Sequence, residues 1–228
     1  MKQVVTKAIV LARTNYGEAD RIVSVLTADK GKVRLLAKGV RKIKSKMAGG
    51  IELFSVSTIG YIQGRGDLAT LVSSRLDTHY SNIVKDINRT MFTYDILKRI
   101  NKVTEYHADT AYFDLLQAVL ELLDAGVADL DIIRSWFDAR LISMAGTEPN
   151  LKTDTSGNSL DAKFRYLFSF DEMAFAKASG PFAAKHIKLL RILFGSKNGR
   201  ELVQVQTDAQ DVLPAVSQLI STIRKQHV

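Results

Sequence analysis

The sequence predicts an α+β chain in which five strands close, or nearly close, into a barrel and an all-helical C-terminal domain follows. Three observations carry that expectation. Apolar residues alternate with period two through the first 80 residues and recur at helical spacing from Tyr80 onward. The alternating part holds five short runs joined by turns, and closure is how so small a sheet protects its edges. The charge divides at the same place: residues 1–80 hold 14 Lys/Arg against 6 Asp/Glu, and the remainder holds 18 of each. The whole net charge of +8 therefore lies in the first third, as in a polyanion-binding module joined to a neutral one.

KAIVLART (7–14) is β-branched and apolar, and NYGEAD supplies the turn residues after it. RIVSVLT (21–27) and KVRLLAK (32–38) flank ADKG, a hairpin signal ending in Gly. LFSVSTIGYIQ (53–63) and LATLVSSRL (68–76) flank GRGD, which reads as a hairpin turn and not as an adhesion tripeptide. Ile83, Ile87, Met91, Tyr94 and Leu97 then form one apolar helical stripe. AYFDLLQAVLELLDAG (111–126) stops at a Gly, and Asp129 or Asp131 caps IIRSWFDARLISMAG (132–146). TEPNLKTDTSGNSLDA (147–162) is polar, turn-rich and aperiodic, hence a loop. Pro181 opens a helix over FAAKHIKLLRILFG (182–195), and the amphipathic VLPAVSQLISTIRKQ (212–226) is the last. The domains expected are 1–80 and 81–228.

Several function classes are set aside. No apolar run approaches the ~20 residues of a membrane span, and MKQVVTKAIV lacks the layout of a signal peptide. The absence of cysteine excludes disulfides, thiolate metal sites and Cys nucleophiles, and fits a reducing cytoplasm. There is no P-loop and no GxSxG elbow, and His79, His107, His186 and His227 are scattered without ligand spacing. No carboxylate pair stands out for acid–base work. No catalytic residue, metal or cofactor is assigned, and an enzyme is not expected.

The positive signal is KGKVRLLAKGVRKIKSK (30–46), with eight basic residues and no acid. Repulsion among so many cations is unfavourable until a counter-charge arrives, and nucleic acid is the counter-charge expected. The candidate DNA-binding residues are Lys32, Arg34, Lys38, Arg41, Lys42, Lys44 and Lys46, with Arg65 from the GRGD turn. A solvated charged loop is the plain alternative. Tyr16, Phe54 and Tyr61 are available either to stack bases or to fill the core.

YGEADRIVSVLT (16–27), GKVRLLAKGVRK (31–42), an AGG step and LF at 53–54 resemble the N-terminal signature of the bacterial recombination mediator family RecO. The spacing of YIQGRGDL (61–68) agrees, and AGTEPNL (145–151) stands where the family has a Gly-x-x-Pro-x-Leu entry into a zinc-binding loop. The resemblance implies an oligonucleotide-binding (OB) barrel before the helical domain, and a cytoplasmic, nucleoid-associated protein without enzymatic turnover. It implies binding of single- and double-stranded DNA, annealing of complementary strands, engagement of the single-stranded DNA-binding protein SSB, and work with RecR to load RecA. A general single-stranded nucleic-acid-binding module that only protects its ligand is the alternative.

Many members of that family carry two Cys-x-x-Cys pairs after the Pro-x-Leu step. Here the first pair's spacing falls near Thr153 and Ser156. Hydroxyls are poor zinc ligands, so 147–180 reads as a degenerate, cysteine-free zinc loop held by packing of Phe164, Tyr166, Leu167, Phe168 and Phe170. For the SSB C-terminal tail, which is acidic and ends in a hydrophobic residue with a free carboxylate, the candidate receptor is the helix from Phe182 to Phe194. Lys185, Lys188 and Arg191 supply its cations and Ile187, Leu190, Ile192 and Leu193 its apolar surface. The same helix reads equally as a core helix with a solvated basic edge, and Lys98, Arg99 and Lys102 form a competing strip.

Overall fold

The computed structural model describes residues 3–64, 66–105 and 110–227. The chain divides into two compact units, Met1–Ala125 and Gly126–Val228. Secondary structure changes from strand to helix at Tyr80, as the periodicity does, but the first compact unit continues through two helices beyond that point.

The first unit contains β1 (Gln3–Tyr16), β2 (Asp20–Thr27), β3 (Gly31–Ala37), β4 (Ser55–Ile62) and β5 (Leu68–His79). They pair in the closed order β1-β2-β3-β5-β4. Five strands close because β1 is long enough to pair twice, through residues 3–9 with β4 and through residues 8–16 with β2. A register slip between Val10 and Ala12 bends it from one neighbour to the other. The ring is completed by a short parallel contact of residues 34–36 in β3 with 68–70 in β5. Inward positions of the alternating runs fill the barrel: Ala8, Val10, Val23, Val25, Leu35, Ile59 and Leu71 are all buried.

A 3-10 turn at Ile83–Lys85 leads to α1 (Ile87–Val103), N-capped by the Asp86 carboxylate, which accepts from the Arg89 N–H at 3.0 Å. α1 buries Phe92, Thr93, Ile96, Leu97 and Ile100. This corrects the single stripe expected from sequence. Ile83 and Leu97 are inside, but Ile87 is 70% and Met91 62% exposed, and Tyr94 is exposed as well. Two apolar faces about one residue apart compete for the interior, and the one carrying Phe92 and two isoleucines at four-residue spacing wins. α2 (Ala111–Ala125) ends where expected, at Gly126 with φ +66°.

The second unit is not all-helical, which corrects the fold class expected for it. Between α3 (Leu130–Met144) and α4 (Ala184–Gly195) lie β6 (Asn150–Asp154), β7 (Tyr166–Ser169) and β8 (Ala174–Lys177), in the order β6-β8-β7. Strands of four or five residues are too short to show a period, and polar turn residues dominate between them. α5 (Leu202–Ala209), which the periodicity does not predict, and α6 (Leu213–His227) complete the unit. Its core holds Trp136 and Phe137, fully buried. The Trp136 indole N–H donates to the Ser196 carbonyl at 2.9 Å. Arg224 on α6 donates to the buried Asp138 carboxylate on α3 at 3.0 Å, so the charge taken into the interior is paired. Among the described residues no helix is long and apolar enough to cross a membrane.

One close approach seats the β3–β4 connection against the barrel. A 3-10 turn at Gly49–Ile51 lies against β5, where the Ser74 hydroxyl donates to the Met47 carbonyl at 2.9 Å. A Cβ on Gly50 would come within 2.5 Å of the Ser74 Cβ and 2.8 Å of its carbonyl carbon. Gly50→Ala is expected to destabilise the barrel by roughly 1–3 kcal/mol and to lower its melting temperature by several degrees. Gly49→Ala, whose new methyl meets nothing within 4 Å, is the matched control and leaves the thermal melt unchanged.

Candidate nucleic-acid interface

The basic connection runs over residues 38–54, from the end of β3 to the start of β4. Its apolar residues turn inward: Val40 and Ile51 belong to the barrel core, and Met47, Ala48 and Leu53 pack against it. Its beginning is tied to the β1–β2 turn and the first residue of β2 by three hydrogen bonds. The Gly39 N–H donates to Asp20 Oδ1 at 2.7 Å, the Arg41 N–H to the Ala19 carbonyl at 2.9 Å, and Arg41 Nη1 to the Gly17 carbonyl at 3.2 Å. Between these anchors the chain makes successive turns, with the Lys42 N–H donating to Gly39 O and the Ser45 N–H to Lys42 O.

The result is a fixed crest on which Lys38, Arg41, Lys42, Lys44 and Lys46 are all exposed. No described acidic residue forms an ion pair with any of the five. The other candidates are placed differently. Lys32 is half-buried, and its ammonium donates to the Asn101 carbonyl in the last turn of α1 at 2.7 Å, a helix C-terminal contact. Arg34 is exposed but lines a groove of about 450 Å³ with Lys32, Gln63, Asp67 and Glu105, so carboxylates share its surroundings. Arg65 lies outside the described residues, as does His107.

Of the three aromatics left open, two belong to the interior. Phe54 is buried with its ring edge-on to Tyr94, centroids 5.0 Å apart. Tyr61 is buried in the barrel, and burial, followed by the Asp29 charge, raises its phenol pKa above the usual 10. Tyr16 alone is exposed, at the β1 end beside the turn that Arg41 holds.

In the second unit α4 contributes to a groove of about 630 Å³ lined by Lys185, Lys188, Leu189 and Ile192, with Val205 from α5 and Asp208 and Asp211 beside them. Lys185 reaches Asp211 at 3.3 Å, both side chains being well exposed. Arg191 is not part of this group: its Nε and Nη2 donate to the Leu151 carbonyl on β6 at 2.9 and 2.7 Å. Three-residue steps on an α-helix drift by about 60° each, which carries Arg191 around to another face. Ile187, Leu190 and Leu193 do not line the groove; its apolar floor is the partly exposed Ile192 over a buried Leu189. Val205 was missed because α5 was; the signal available for it was the short LVQV run.

The region resembling a zinc loop does not fit a metal. Where a first thiolate pair would stand, the buried Asp154 carboxylate already accepts the N–H groups of Ser156 and Asn158, each at 2.9 Å. The neighbouring cluster centres on Phe175, with Phe168, Phe182 and Tyr166 at 5.1, 5.4 and 6.3 Å between centroids. Tyr166 and Phe168 were expected there and belong to it, and Phe170, though 39% exposed, meets Phe168 edge-on at 5.1 Å. Phe164 and Leu167 are exposed, which corrects their assignment to the packing. They lie on or beside short strands whose outer faces meet solvent.

Two family models match this chain, one described as Recombination protein O N terminal over residues 1–78 and one as Recombination protein O C terminal over residues 85–228. Among curated proteins it is similar to a DNA repair protein RecO of Desulfatibacillum aliphaticivorans, 37% identical over 154 residues, 66% of this chain and 60% of that one. A DNA repair protein RecO of Dehalococcoides mccartyi is 33% identical over 148 residues, 64% of this chain and 58% of that one. One of an Exiguobacterium species is 31% identical over 188 residues, 82% of this chain and 71% of that one. Against the first two, the chain spans less than two thirds of the relative's length.

The N-terminus of α4 holds a histidine whose surroundings disfavour its charged form. His186 Nδ1 accepts the Ala183 N–H at 3.2 Å, a bond available only to the neutral ring. Burial, then the Arg165 charge, lowers the His186 pKa below the usual 6.5. The unfolded chain therefore binds a proton that the folded chain refuses, so stability is complete above 6.5 and falls as pH drops from there through the lowered value. The second unit is expected to melt earlier at pH 5 than at pH 7.5. His186→Gln keeps an acceptor without the titration, and it should narrow that difference in a thermal melt followed at both pH values.

Proposed function

This chain belongs to the recombination protein O family, a family of DNA repair and recombination, and on that basis we propose that it is a recombination mediator. In this reading the barrel is an OB fold that captures single- and double-stranded DNA and anneals complementary strands in the cytoplasm, at the nucleoid. With RecR it promotes loading of RecA onto single-stranded DNA coated by SSB. No catalysis is required, because annealing needs only that repulsion between two phosphate backbones be reduced while bases find their partners.

The observation that supports this reading is the anchored crest of Lys38, Arg41, Lys42, Lys44 and Lys46, none of them ion-paired to a described acidic residue. Each cation that neutralises a phosphate of a single strand adds about −0.7 to the log–log salt slope of binding. Lys38, Lys42, Lys44 and Lys46 changed together to Ala should therefore flatten the slope by about 3 and weaken all DNA sequences alike. The same variant should lose annealing of SSB-coated complementary strands. An unchanged slope removes the crest from the DNA contact, and a wild-type protein that binds but does not anneal is a protective binding module instead.

We assign the SSB tail to the α4–α5 groove, with Lys185 and Lys188 as its cations. An acidic peptide ending in a hydrophobic residue suits a floor of Leu189, Ile192 and Val205 flanked by two ammonium groups. The Lys185–Asp211 pair is exposed and weak enough to exchange Asp211 for a peptide carboxylate. A Lys185/Lys188 double Ala variant is expected to lose a synthetic tail peptide in a titration and to keep its affinity for naked DNA. Tail binding at full strength in that variant places the receptor elsewhere.

A further inference from the structure

The apolar residues of the basic connection behave alike, with one exception. Val40 and Ile51 are in the core, and Met47, Ala48 and Leu53 pack against it. Ile43 points away, with a relative exposure of 105%, as open as the residue in an isolated peptide. It stands between Lys42 and Lys44 on the exposed part of the crest. The hydrogen bonds that hold the foot of the crest to the β1–β2 turn also fix the strand end that carries Tyr16, 54% exposed. Ile43 is thus displayed among cations, and Tyr16 stands at the edge of the neighbouring turn, which also carries Glu18 and Asp20.

We propose that Ile43 is a base-contacting residue, supported by Tyr16, which meets the faces of unpaired bases while the flanking lysines hold phosphates. The inference rests on the DNA-binding reading above and deepens it. A single strand is the occupant that the charge pattern selects. Its repeat alternates anionic phosphate with an apolar base face, and Lys42-Ile43-Lys44 alternates cation with apolar side chain in the complementary sense. In a duplex the base faces are stacked on one another and withheld. A polyanion without bases would occupy the lysines and leave Ile43 in water. Contact with base faces is sequence-tolerant and independent of salt, so it adds affinity that the slope does not register.

The test separates these contributions. Ile43→Ser, at a fully exposed position, should retain the wild-type melting temperature. It should weaken binding of oligothymidylate roughly tenfold, the loss expected when an Ile side chain is no longer covered. The salt slope should not change, and neither should the affinity for inorganic polyphosphate. Tyr16→Ser should act in the same direction. The chain has a single tryptophan, Trp136, which is fully buried, so Ile43→Trp introduces an exposed reporter. Its fluorescence should be quenched by oligothymidylate and not by polyphosphate. Oligothymidylate affinity unchanged in Ile43→Ser overturns the proposal, as does an equal loss for polyphosphate or an equal loss for a blunt duplex. A wild-type protein that binds no oligonucleotide overturns the DNA-binding reading itself, and this inference with it.

Discussion

The first unit depends on the burial of the β3–β4 connection into the end of the barrel. Burying a residue such as Val40 or Ile51 contributes about 1.5–3 kcal/mol each. Two exposed charges a few ångströms apart in water repel by only about 1 kcal/mol. The anchors therefore win, and the protein can hold a row of like charges in place without a counter-ion. Were the connection free, its lysines would spread into solvent and a ligand would have to order them at a cost of about 0.5–1.5 kcal/mol per side chain. Gly50, packed where no side chain fits against Ser74, is what allows the connection to reach its seat.

The strand arrangement fixes where that seat is. β1 serves both β2 and β4, and β3 reaches β5 through only three residue pairs, so the chain must travel from β3 to β4 outside the ladder. A connection of that length on a barrel of alternating residues has one apolar surface to settle on, the open end of the core. The same route brings Arg41 to the carbonyl oxygens of the β1–β2 turn. Arg41 is therefore both a member of the cationic crest and a part of its support, whereas the side chains of Lys42, Lys44 and Lys46 stand on the crest alone.

Much of the barrel was legible because period two and turn chemistry agree along residues 7–76. Five strands appear there, but β1 begins at Gln3, and residues 3–6, which the alternation did not mark, pair with β4. The basic segment was visible as composition, but its division was not. That Lys32 would cap α1 depends on a helix some 70 residues later, and that Arg34 would share a groove with Asp67 and Glu105 depends on the β3–β5 pairing. Neither is encoded in local pattern. In α1 the sequence carries two apolar stripes, and only packing decides between Ile87–Met91 and Phe92–Ile96. The small sheet of the second unit escaped notice because its strands are shorter than any window in which alternation can be counted.

That sheet also explains how a region resembling a zinc loop keeps its form without thiolates. A metal fixes a loop by drawing several ligands to one point. Here the loop is gathered at two points instead. The Asp154 carboxylate draws in the N–H groups of its own turn, and Phe175 collects three rings from β7 and the approach to α4. Gly180 allows the chain to pass close against Tyr166, whose N–H donates to the Phe182 carbonyl at 2.8 Å and whose carbonyl accepts from the Phe182 N–H at 3.2 Å. Arg191 then ties β6 to α4 through the Leu151 carbonyl. The cations of α4 are in this way divided by the sheet: one holds β6, and Lys185 and Lys188 are left facing the groove. The division follows from helical geometry acting on the 185, 188 and 191 spacing, since side chains that drift around an axis cannot all serve one surface.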